Sequence, residues 1–162
     1  MTRSLLSRAV DDLAAAPGSA TLALGDASRL RDLERETASK LAPVVVISFG
    51  RPAPTIAADL ALPPGALGVL HPPLEGAHER PFAELDDILM RLPSLPGAVL
   101  VETTASLASL YGPPAAERFV RALCGYAREA RRTVLLLSPR GHGPFDAVRP
   151  GVEALVDRVI EV

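Results

Sequence analysis

The stretch Ala98-Val99-Leu100-Val101-Glu102-Thr103-Thr104 constrains the fold more than any other. Four apolar residues run on without alternation and end in polar ones, the pattern of a strand covered on both faces. A strand with no solvent face belongs to a parallel sheet flanked by helices, and this stretch is expected to be its central strand. Ligands of such sheets bind in the crevice beyond the carboxyl ends of the strands. Glu102, Thr103 and Thr104 therefore mark where a site would lie.

Strands and helices are expected to alternate around that centre. Ser4 to Ala16 puts Leu5, Leu6, Val10, Leu13 and Ala14 on one helical face before Pro17 and Gly18 stop it, so residues 1–17 read as a leading helix. Ser19 to Leu24 reads as a first strand, and Asp26 or Ser28 as the cap of a helix from Arg29 to Lys40. Val44 to Ser48 is β-branched and apolar, a good second strand, closed by Gly50, Pro52 and Pro54. Ile56 to Leu60 predicts a short helical turn and Gly68 to His71 a third strand between proline pairs. Spacings of three and four through Phe82, Leu85, Ile88, Leu89 and Leu92 predict a helix from Pro81 to about Arg91.

After the central strand, Leu107, Leu110 and Tyr111 suggest a short helix. A long one opens at Pro114 and Ala115, with Ala116, Phe119, Val120, Leu123, Cys124, Ala127 and Ala130 in one stripe. Thr133 to Ser138 is a fifth strand, Pro139 to Pro144 a glycine-rich loop, Val152 to Val156 a short helix and Arg158 to Val162 a last strand. The expected architecture is a three-layer α/β domain over residues 1–162, its central sheet mostly parallel with helices on both faces.

Composition narrows the function classes. A chain of 162 residues buries enough surface to need no staple, and the lone Cys124 reads as a small buried hydrophobe. The apolar runs Val44 to Ile47 and Val134 to Leu137 are far too short to span a bilayer, and Asp11 and Asp12 interrupt the apolar core that a signal peptide needs. A soluble cytoplasmic protein without membrane contact is expected. Net charge is −2, with 17 basic against 19 acidic residues, and 4% of residues are aromatic. Neither supports nucleic-acid binding by the chain alone.

The chain resembles a known family in the order of its parts. A glycine-led first strand (Gly18-Ser19-Ala20-Thr21-Leu22), a helix, Val46-Ile47-Ser48-Phe49-Gly50-Arg51-Pro52, a short third strand, a proline-preceded helix and Ala98-Val99-Leu100-Val101-Glu102 followed by a long helix look like the core of RecA-superfamily ATPases of the KaiC type. More narrowly, the chain is similar to the archaeal KaiC-related domain of unknown function that lacks a phosphate-binding loop and often accompanies signalling domains. The resemblance implies ATPase activity only where the phosphate-binding residues are present.

A Walker A loop needs G-x-x-x-x-G-K-[ST] after the first strand, because backbone N–H groups must wrap the phosphates and a lysine must reach the terminal ones. That position reads Leu24-Gly25-Asp26-Ala27-Ser28-Arg29-Leu30, with one glycine, no lysine and an aspartate where phosphate oxygens would lie. Lys40, the only lysine, comes about three helical turns later. Glu102 stands where the resemblance puts the Walker B acid, and Ser48-Phe49-Gly50 where it puts catalytic glutamates. No catalysis and no cofactor are expected.

Other chemistry is sparse. No G-x-S-x-G elbow occurs, and Arg140-Gly141-His142-Gly143 is expected to open no long helix, which argues against a cofactor fingerprint. His71 and His78, with Glu75 and Glu79, fit no zinc spacing, so no metal site is expected. The carboxyl edge of the sheet would gather Asp26, Arg51, His71, Glu102, Thr103, Thr104, Arg140 and His142, a set able to bind an anion or small polar ligand through Arg51 and Arg140. The leading expectation is a non-catalytic module working through protein contacts, as a homo-oligomer or with a partner protein. Leu5, Leu6 and Val10 and the segments around Pro63 and Pro72 are its candidate surfaces. The alternatives are a nucleotide or small-anion sensor that does not hydrolyse its ligand, and a DNA recombination or repair accessory using Arg128, Arg131 and Arg132.

Overall fold

A computed structural model describes residues 4–72, 80–102, 104–141 and 143–162. Its strands are β1 (Ala20–Gly25), β2 (Val44–Ile47), β3 (Leu67–Leu70), β4 (Ala98–Val101), β5 (Val134–Pro139) and β6 (Arg158–Glu161). Its helices are α1 (Leu5–Ala14), α2 (Ala27–Leu41), α3 (Ala53–Leu60), α4 (Pro81–Arg91), α5 (Thr104–Tyr111), α6 (Pro113–Ala130) and α7 (Gly143–Leu155). The strands form one sheet in the order β3-β2-β4-β5-β1-β6, and every pairing is parallel. Every residue of β4 and β2 is buried, as a strand covered on both faces requires. In register, Val46 lies beside Leu100 and Leu100 beside Leu135.

The alternation of side chains along the strands divides the core into two layers. Leu22, Val45, Ile47, Val99, Val101 and Leu136 face α4, α5, α6 and α7. Ala23, Val44, Val46, Leu100 and Leu135 face α1, α2 and α3, packing on Val10, Leu13, Leu30, Leu33 and Ile56. The connections β1–α2–β2 and β2–α3–β3 thus cross one face, and the remaining ones cross the other. The edge strands carry the half-buried pattern, with Val159 43% exposed on β6.

Gly97 holds the approach to β4. Its φ is +102°, a region that suits only glycine, and a Cβ there would collide with the carbonyl oxygen of Pro43 at the entry to β2.

Several expectations need correction. The short helix expected over Val152 to Val156 is the end of α7, which starts at Gly143. The Pro139–Pro144 loop therefore does lead into a long helix, against the sequence reading. Pro144 stands at the second helical position, where the missing N–H is unpaired in any case, and Pro150 sits inside the helix without ending it. Prolines mislead again at α3: Pro52 is its N-cap and Pro54 its second residue, so they open a helix rather than close a strand. At α2, Asp26 occupies the N-cap position but its side chain makes no capping hydrogen bond. Val10, offered as an interaction residue, is 3% exposed and belongs to the core; Leu6 is half-buried and Leu5 stands out at 82% exposed. No described helix is long and apolar enough to cross a membrane.

Candidate functional site

The crevice at the carboxyl end of the sheet opens on the α2–α3 face. Ser48 and Arg51 follow β2, Glu102 follows β4, and Leu137 and Pro139 belong to the end of β5. Between β2 and β4 the chain leaves to opposite faces, through α3 and α5, which is where an open α/β sheet leaves room for a site. A cleft of about 120 Å³ lies there, its polar wall formed by Arg31, Glu34, Arg51 and Glu102.

The centre of the cleft is the Arg51 guanidinium. Its Nε donates to Glu102 Oε2 at 3.0 Å, and its Nη2 donates to Glu102 Oε1 and to both oxygens of Glu34, each at 3.1 Å. Its Nη1 donates to Asp59 Oδ2 on α3. The turn that presents Arg51 is shaped by Ser48, whose Oγ accepts from the Arg51 backbone N–H at 3.0 Å and donates to Glu102 Oε2 at 2.9 Å. Arg31 closes the outer side, its Nη1 donating to Asp59 Oδ2 at 3.0 Å and its Nε lying 4.0 Å from Glu34 Oε2. The side chains of Glu34 and Glu102 are 3% and 7% exposed, so an unpartnered carboxylate there would be strongly unfavourable.

Burial drives the carboxyl of Glu34 up to about 7, with Asp59 adding to the rise and Arg31 and Arg35 opposing it. The arrangement can hold charge and move a proton. With all its donor groups facing carboxylates, Arg51 has little left to offer an anion.

Of the residues expected at this edge, the structure joins Arg51 and Glu102 directly and leaves His71 and Arg140 apart. His71 Nδ1 donates to the carbonyl of Pro72 at 2.9 Å, beside the edge strand β3. Arg140 turns to Glu161 on β6 at 2.6 Å, a largely exposed pair. Thr103 and His142 lie outside the described residues, as do His78, Glu75 and Glu79. Among the described residues no group of His, Cys, Asp and Glu is arranged to hold a metal ion. Two of the three arginines expected to serve DNA binding have internal partners: Arg128 pairs with Asp157 at 3.2 Å, and Arg132 stacks on Tyr126 and donates to the Leu95 carbonyl. Cys124 is buried, and burial raises its thiol to about 11, as suits a core residue.

Sequence reasoning missed Glu34, Asp59, Ser48 and Arg31. A signal for Glu34 was available. It shares the buried stripe of α2 with Leu30, Leu33, Thr37 and Ala38, and a charge on such a stripe calls for a buried partner. No family model and no curated protein matches the chain.

Proposed function

We propose that the chain is a non-catalytic cytoplasmic module, RecA/KaiC-like in the order of its elements, that acts through protein contacts as a homo-oligomer or as the inactive subunit of a larger assembly. The observation that carries this reading is the state of the crevice, which is filled from within by Arg51 and its carboxylates. β1 and α2 are joined by the single residue Asp26, too little chain to wrap phosphates. At about 120 Å³ the cleft falls below the ~300–1,000 Å³ usual for small-molecule sites. The exposed Leu5 on α1 and the open edge of β6 are the surfaces a partner would meet.

A second reading, a sensor for a nucleotide or small anion that does not hydrolyse it, draws on Arg31, which stands at the mouth of the cleft with 36% of its side chain exposed. Thermal unfolding with and without Mg-ATP, Mg-ADP and a cyclic dinucleotide, with light scattering on the same sample, separates the two. No shift together with a mass of two or more subunits is expected. A rise in Tm that disappears in Glu102→Ala would overturn the contact reading in favour of the sensor.

A further inference from the structure

The geometry points to a proton-linked clasp at the carboxyl end of the sheet: one proton, held by Glu34, governs the stability of the charge cluster that joins α2 and α3 to the end of β4. This goes beyond the proposed function and does not depend on it.

Three carboxylates, Glu34, Asp59 and Glu102, converge on two guanidiniums, Arg31 and Arg51. Glu34 and Glu102 both accept from the same nitrogen, Arg51 Nη2, so two buried carboxylates crowd one donor. Like charges that close together in a buried site are relieved when one takes a proton.

Charged groups approach Glu34 from its own helix and from three neighbouring segments. Its own helix supplies Arg31 and, further out, Arg35, which is half exposed and lies 3.5 Å from Asp32. The β2–α3 turn supplies Arg51, α3 supplies Asp59 and β4 supplies Glu102. From β5 come only Leu137 and Pro139, which are apolar. With Glu34 neutral the cluster balances two negative against two positive charges; with Glu34 ionised it carries one buried negative charge too many.

Glu34 is the member that holds the proton: its side chain is 3% exposed, against 7% for Glu102 and 33% for Asp59, and burial raises its carboxyl to about 7 from an ordinary value of 4.5. The folded chain thus binds this proton more tightly than the unfolded chain does. Its contribution to stability is full below about pH 4.5, declines as pH rises to about 7, and is level above that. The cluster as a whole is most stable in mild acid, where its charges balance, and depends on Arg51 most at alkaline pH, where Glu34 is ionised.

The test is chemical unfolding of the whole protein at a series of pH values from 5 to 8, for the wild type and for Glu34→Gln, which imitates the neutral acid. The wild-type midpoint should fall as pH rises from 5 to about 7 and level off above that, while that of Glu34→Gln stays nearly level throughout, so that the two separate between pH 5 and 7. Hydrogen exchange of α2 and α3 amides, corrected for intrinsic pH dependence, should rise from pH 5 to about 7 in the wild type only. Parallel midpoint curves would overturn the clasp. Should Glu34→Gln fail to fold, a carbon-13 titration of the Glu34 carboxyl in the wild type decides: a midpoint near 7 supports the proposal and one near 4.5 ends it.

Discussion

The same turn sends two residues to opposite faces of the sheet, and the two faces close their carboxyl ends by different physics. Phe49 enters the α4–α7 layer, where its ring meets Tyr111 at 6.2 Å and Phe119 at 5.9 Å between centroids, both edge to face. Two residues later Arg51 enters the α2–α3 layer and meets Glu34, Asp59 and Glu102. The aromatic seal gains from burial, and Phe49 brings no titrating group to it. The ionic seal has to offset the desolvation of its charges with close pairing, so it fixes geometry more than it adds stability, and its strength follows protonation.

This contrast can be broken at its common root or on either side. The largest effect is expected from Gly97→Ala, which strikes β2 and β4 together and so undoes both seals. A side chain there meets the Pro43 carbonyl at a φ of +102°, and a loss above about 4 kcal/mol, or failure to fold, is expected in a denaturant titration. Retention of wild-type stability would mean that the β2–β4 approach is not as close as the structure has it.

Next come two substitutions measured side by side at pH 5.5 and 8. Phe49→Ala should cost about 3–5 kcal/mol equally at both values, because only packing is lost. Arg51→Ala should cost about 3–5 kcal/mol at pH 8, with buried carboxylates left unpaired, and clearly less at pH 5.5, where protonation relieves them. Equal losses at both pH values for Arg51→Ala would erase the distinction between the seals.

The smallest effect on stability belongs to Leu5→Asp. At 82% exposed, Leu5 packs against little, and a change within about 0.5 kcal/mol is expected. Light scattering should nonetheless report a lower mass if α1 is the contact surface of the proposed module. An unchanged mass would move the search to the open edges of the sheet.

Much of the fold is legible in local pattern. Val44 to Ile47, Ala98 to Val101 and Val134 to Leu137 are apolar without alternation, and all three are inner strands. Pro81–Arg91 and the stripe of α6 follow helical spacing. Proline was an uneven guide. Read as an opener at Pro81 and Pro114 it is right, but read as a terminator or loop residue at Pro54 and Pro144 it is not, since both stand at the second position of a helix, and only the following residues tell an opening from a stop.

The sequence alone determined that this chain would form a buried parallel sheet with helices on both faces, because burial and helical pitch leave their periods in neighbouring residues. It also determined that the loop after β1 lacks the glycines and lysine of a phosphate cradle. Only the tertiary structure decided that Arg51 would meet Glu34, 17 residues away, and Glu102, 51 residues away. That meeting depends on β4 lying beside β2 and on the face across which α2 returns. Neither leaves a trace in local spacing, since a strand's side chains announce that it is buried and not which strand lies next to it.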